Sequence, residues 1–172
     1  MTNKAFGGYR IRIAAGSYTE SKMFRTGCIC PNRLKRSDTM FTFTISGEPQ
    51  GKARPRVTTR GTYTPRKTKD YERLVQWEYR KQGGRNHGER QLQVEITANF
   101  SIPKSKAKKA KVDMLAGTVR PTKKPDCDNI AKAILDALNG VAYHDDSQIV
   151  TLAVEKWYSP FDPCVIVTIK EV

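Results

Sequence analysis

A group of aspartates and one lysine are the residues in this chain whose types and spacing could do chemistry together. Asp126 and Asp128 stand at the start of a predicted helix. Lys132 follows four residues after Asp128 and four before Asp136, and Asp145-Asp146 lie just past the helix at the turn into a strand. Each has an ordinary explanation on its own. Aspartate is favoured at a helix N-cap and in the first turn, where free N–H groups and the positive end of the dipole meet it. Lys132 would form helical ion pairs, and Asp145-Asp146 would be a solvated turn. Two aspartates exceed what one cap requires, and the whole group lies close together in an otherwise basic chain. Three carboxylates on one point repel one another unless a cation sits among them. A hard ion such as Mg²⁺, with Mn²⁺ able to substitute, takes oxygen ligands and accepts phosphate oxygens as further ones. Such an ion would polarise a phosphodiester and activate water, with Lys132 stabilising charge on the departing oxygen.

The charge distribution points the same way. The formal net charge is +14, and it is unevenly spread: residues 1–40 carry +6, residues 41–125 carry +13 and residues 126–172 carry −5. A basic excess of this kind suits a polyanionic partner, because each neutralised phosphate releases counterions. A pure nucleic-acid binder gains nothing from clustered carboxylates beside phosphate, whereas a metal-dependent nuclease needs them. Other motif readings fail on context. An EF-hand needs a ligand where Ile130 stands. The aspartate nucleophile of phosphatase-like folds should end an apolar strand, not follow Lys123-Lys124-Pro125. No Walker loop is present, so no nucleotide cofactor is expected. Nothing reads as a membrane span or secretory signal. Cys28, Cys30, Cys127 and Cys164 are too few and too irregular for a zinc site and read as reduced thiols, which suits a cytosolic protein.

The elements that must position these residues are predicted from periodicity. Residues 1–39 show no sustained period and are expected to be an irregular extension, with the folded domain spanning 40–172. Met40-Phe41-Thr42-Phe43-Thr44-Ile45 alternates as a half-buried strand. Gly47 through Pro65 is punctuated by glycine and proline and is expected to be a surface loop, in which Arg54, Arg56 and Arg60 are candidate DNA contacts. Tyr71, Leu74, Val75 and Tyr79 form the apolar stripe of a helix that starts near Pro65 and ends at Gly83-Gly84. Leu92 to Phe100 alternates over nine residues as a strand. The long connection 103–125 carries Lys104, Lys106, Lys108, Lys109, Lys123 and Lys124, and reads as a basic DNA-contacting arm with a short helix. Ile130, Ile134, Ala137, Leu138 and Val141 mark the buried face of a second main helix, stopped by Asn139-Gly140. Ile149 to Tyr158 and Cys164 to Val172 read as an antiparallel hairpin, with the apolar Cys164-Val165-Ile166-Val167 run central. The fold class is α+β: a mixed β-sheet packed with two main helices.

Asp126-x-Asp128-Asn129-x-x-Lys132, Asp136-Ala137-Leu138-Asn139-Gly140 and Asp145-Asp146-Ser147-Gln148-Ile149-Val150 together resemble the RusA family of Holliday-junction resolvases, over about residues 40–172. Residues 1–39 and the long lysine-rich arm depart from that pattern. The resemblance implies a RusA-like α+β fold, a homodimer, and Mg²⁺-dependent paired nicking of four-way DNA junctions in recombination and repair. It assigns the catalytic and metal-holding acids to Asp126, Asp128 and Asp146, and the catalytic lysine to Lys132. The competing expectations are another structure-selective metal nuclease, preferring flaps or single strands, and a non-catalytic basic DNA-binding module.

Overall fold

The computed structural model describes residues 40–172 except 55, 59, 60 and 64, and only the backbone of 56–58 and 61–63. The expected 1–39 extension lies outside the described residues. Among the described residues six strands and three helices follow in order: β1 (Met40–Ser46), β2 (Arg56–Thr58), β3 (Gly61–Tyr63), α1 (Arg66–Lys81), β4 (Leu92–Ser101), α2 (Lys108–Leu115), α3 (Cys127–Leu138), β5 (Ile149–Ser159) and β6 (Cys164–Glu171), with a 3₁₀ turn, Asp146–Gln148, leading into β5. The architecture is α+β, as the patterning predicts.

The main sheet runs β1-β6-β4-β5. β6 is antiparallel to both β1 and β4, while β4 and β5 are parallel. Alternation places one apolar row across all four strands: Phe43 faces Val167, Val167 faces Ile96, and Ile96 faces Val154. Cross-strand pairs of this kind are the unit of sheet stability. Phe43, Ile96 and Val167 are fully buried, and they share one core with Val75 and Tyr79 of α1 and Ile130, Ile134 and Leu138 of α3. Tyr79 meets Phe41 and Phe43 edge-on at 5.3 and 5.1 Å, a favoured aromatic geometry. Tyr71 and Tyr79 of α1 are therefore core, as their spacing predicts, whereas Trp77, off that stripe, is exposed.

Two expectations are corrected. β5 and β6 do not form a hairpin, because β4 lies between them. β6, with Val165, Val167 and Ile169 fully buried, needs a neighbour on each side and takes the interior position between β1 and β4. The central placement expected for β6 holds; its pairing with the preceding strand does not. The segment expected to be a plain loop contains the antiparallel pair β2–β3, with Arg56 opposite Tyr63 and Thr58 opposite Gly61.

Leu138 and Ile134 lock α3 onto the sheet. Replacing Ile134, fully buried, by alanine removes three methyl or methylene groups and leaves a cavity, so urea denaturation should report a loss of about 3 kcal/mol.

Candidate active site

α3 is amphipathic in a way that exposes its chemistry. Ile130, Ile134 and Leu138 face the core, so the residues at i, i+4 and i+8 on the opposite side, Asp128, Lys132 and Asp136, face outward together. Asp126 is the N-cap residue, in extended conformation (φ −77°, ψ 157°), and its side chain makes no capping hydrogen bond. Only its backbone carbonyl is used, accepting from the Ile130 N–H at 3.0 Å. Capping therefore does not account for the Asp126 carboxylate.

The approach to Asp126 is held from two sides. The Lys156 ammonium, from β5, donates to the carbonyls of Lys123 (2.7 Å) and Pro125 (2.9 Å). Gly51 packs against Pro125 so closely that a Cβ there would lie 2.8 Å from the proline Cβ, and the Lys52 N–H donates to the Asn129 carbonyl at 2.9 Å. The Lys52 side chain then reaches between helices, pairing with Glu72 of α1 at 2.9 Å and with Asp136 of α3. Burial alone would lower the Lys52 pKa, yet its hydrogen bonds to Asp136 and Glu72 and their charges raise it. Asp136 is thus matched by Lys52 and not by Lys132. Among the described residues, no hydrogen bond or ion pair holds the side chains of Asp128 or Lys132.

The second acidic element is the turn into β5. The Asp145 carboxylate accepts from the Ser147 hydroxyl at 3.0 Å, and its hydrogen bonds from Ser147 and Asp146 hold it below the ordinary carboxylate value. Asp146 is pushed the other way, by the hydrogen-bonded Asp145 carboxyl, by desolvation, and by the charges of Asp145 and Asp136. The helix face and the turn therefore sense each other through Asp136. Tyr143, buried behind them, is also pushed up, by burial first and then by the charges of Asp146 and Asp136; its hydroxyl donates to the Leu135 carbonyl at 2.9 Å.

The structure brings Asp145 and Asp146 together and sets Asp128, Lys132 and Asp136 on one helix face. Among the described residues it gathers no three His, Cys, Asp or Glu side chains into a group that could hold a metal ion as they stand. In kind, the exposed carboxylates of Asp126, Asp128 and Asp146 are the hard oxygen donors that Mg²⁺ or Mn²⁺ takes. An open cleft of about 530 Å³ lies beside the turn, lined by Arg85, His87, Arg90 and Glu171 among others, and none of these three aspartates lines it. The aspartates lie on open surface, which suits a substrate as large as a duplex.

The candidate DNA contacts fall into three groups. Arg54 is exposed, Arg56 lies in β2, and Arg60 is outside the described residues. Lys104 and Lys106 precede α2, and Lys108 and Lys109 open it; all four are exposed. Lys123 and Lys124, also exposed, stand directly before Asp126. The arm is tied back to β5 where the Arg120 guanidinium lies over the Trp157 ring at 2.9 Å. Patterning missed Lys52, Lys156 and Gln148 as organisers of the site. Only Gln148 had a signal, since Asp145-x-x-Gln148 has the spacing of a capping box.

The described residues contain no helix long and apolar enough to cross a membrane. The family model described as "Endodeoxyribonuclease RusA" matches residues 46–170. The chain is similar to a protein of Bacillus subtilis (strain 168) named "Uncharacterized protein YqaN", 37% identical over 136 residues, which cover 76% of this chain and 95% of that protein. The match takes in α3, the acidic turn and most of the sheet.

Beside the turn, Glu171 accepts from Arg85 (3.2 Å), from Arg90 and from the His87 Nδ1 (2.7 Å). His87 and the two arginines hold its carboxyl below the usual 4.5, against the opposing effect of desolvation. The stability it contributes is therefore present above that value and is lost as pH falls through the lower folded value. Glu171→Gln should cost about 1.5 kcal/mol at neutral pH, and thermal melts should show the two proteins converging below pH 4.5.

Proposed function

This chain belongs to the RusA family, Holliday-junction-resolving endodeoxyribonucleases that generally depend on a divalent metal, and from that premise we propose that it resolves four-way DNA junctions by paired, Mg²⁺-dependent nicks. The observation that carries the reading is the pairing pattern on α3. Its outward carboxylate Asp128 and lysine Lys132 have no ion-pair partner among the described residues, although both stand at helical pairing distance. Asp126 at the N-cap is not used for capping. Groups left unmatched in this way are available to a ligand.

Asp126, Asp128 and Asp146 would hold the ion, whose charge would offset the repulsion among three ionised carboxylates. When bound, the ion supplies Lewis acidity toward the phosphodiester and toward the attacking water. Lys132 places an ammonium beside the departing 3′ oxygen, where charge develops. Lys123 and Lys124 grip phosphates next to the cut, and the α2 arm and the Arg54-Arg56-Arg60 segment extend the cationic track away from it. Two symmetric cuts in a two-fold junction call for two copies of the chain. β5 supports this, since it pairs only with β4 among the described strands and exposes Val150 and Leu152; proteins usually cover such an edge.

A labelled synthetic junction incubated with Mg²⁺ or with EDTA tests the proposal. Symmetric nicks should appear with Mg²⁺ and vanish with EDTA. Asp126→Asn should lower the cleavage rate at least about a hundredfold while junction binding, read by gel shift, stays equal or tightens. Cleavage by Asp126→Asn at the wild-type rate would falsify the assignment of the acids. Cuts on flaps but not on junctions would replace the substrate, and binding without metal-dependent cuts would leave a DNA-binding module.

A further inference from the structure

We infer that Gln148 is a positioning residue for the acidic turn, its carboxamide fixing the direction of the Asp145-Asp146 backbone and thereby the affinity of the site for a divalent cation. The inference rests on the metal site proposed above and adds to it a residue outside the charged set.

A carboxamide offers two donor hydrogens and two acceptor lone pairs, and Gln148 uses all four. Its Oε1 accepts from the backbone N–H of His144 at 2.8 Å and of Asp145 at 3.1 Å. Its Nε2 donates to the carbonyls of Gly88 at 2.7 Å and Arg90 at 3.0 Å. The polarity allows one orientation alone, since reversing the amide would set NH₂ against two N–H groups and an oxygen against two carbonyls. One side chain thus ties the start of the acidic turn to the connection between α1 and β4.

That connection is itself held fast. The His87 N–H donates to the Ala142 carbonyl at 2.8 Å. The His87 ring, on a residue only 3% exposed, meets Glu171 at 2.7 Å, and Arg90 pairs with the second Glu171 oxygen. A chain of restraint therefore runs from the buried histidine and Glu171, through the Gly88 and Arg90 carbonyls, to the backbone that carries Asp146. Asp145 is turned onto its own turn by the Ser147 hydroxyl. Groups that orient a ligand in this way usually set metal affinity by 10- to 100-fold without touching the metal.

The test uses full-length protein without DNA, titrated with Mn²⁺ and followed by the electron paramagnetic resonance of the free ion. Gln148→Met keeps the length and removes all four hydrogen bonds; it should bind Mn²⁺ roughly 10- to 100-fold more weakly. Its junction nicking should recover at saturating Mn²⁺, a loss in metal affinity and not in turnover. Asp146→Asn should show no such recovery at any Mn²⁺ concentration. If Gln148→Met melts below the assay temperature, Gln148→Asn keeps the amide and shortens its reach, and should show the same weakening. A folded variant that binds Mn²⁺ as tightly as wild type overturns the role of Gln148. Wild-type protein that binds Mn²⁺ no better than the Asp126→Asn, Asp128→Asn, Asp146→Asn triple variant overturns the metal site itself, a separate and recognisable failure.

Discussion

The rotation of α3 about its own axis is the constraint on which the site depends. Each residue turns the helix by a fixed angle, about 100° for 3.6 residues per turn, so burying one side fixes where the other side points. Ile130, Ala133, Ile134, Ala137 and Leu138 are buried, and losing even one large member of such a set costs several kcal/mol. Exposed ion pairs are worth less than about 1 kcal/mol each. Packing therefore decides the orientation, and Asp128, Lys132 and Asp136 are carried outward by it. The core and the proposed catalytic face are opposite sides of the same twelve residues.

Electrostatic competition then sorts the outward face. Lys132 has acids four residues away on both sides, and such helical pairs are worth about 0.2–0.5 kcal/mol. Asp136 has a stronger alternative: Lys52, less solvated and held between Asp136 and Glu72. Taking Asp136 out of the contest removes one of the two partners that could hold Lys132. The same contact brings the start of the basic 50s segment to the helix, because Gly51 and Lys52 dock on Pro125 and Asn129. Gly51 and Lys52 are thereby anchored beside the first turn of α3.

Much of this was legible in the chain. The stripes of α1 and α3 and the alternation of β4 are strongly periodic, and periodicity reports which side is buried whatever the final topology. The candidate acids stand out in the sequence because they break the charge trend of their surroundings, while the described residues gather no three of them into one group. Strand order was not. Neighbours in sequence pair more often than not, which favours a β5–β6 hairpin, but an apolar β6 is served better between β1 and β4, a preference settled by contacts distant in sequence. The β2–β3 pair was hidden because Gly and Pro around it read as loop. Lys52 and Lys156 looked like two more solvated cations among many. Their partners, a pair of carboxylates in one case and two carbonyls in the other, come from elements that only the fold brings near.

β5 links the two acidic elements more directly than their spacing suggests. The turn that carries Asp146 runs straight into its first residue, Ile149, and seven residues along the strand Lys156 holds the carbonyls of Lys123 and Pro125, next to Asp126. β5 pairs with β4 along its length with one register shift at its start, between Leu92 and Gln93, and from Thr151 onward it is a stiff spacer; the helix between the acids is fixed by its own packing. The distance from the Asp126 end to the Asp146 end is therefore set twice, once through α3 and once through β5. Two such spacers fix the backbone positions at both ends of the proposed metal site. That is the arrangement a carboxylate site requires if repulsion is to open it and a cation is to close it without refolding the domain.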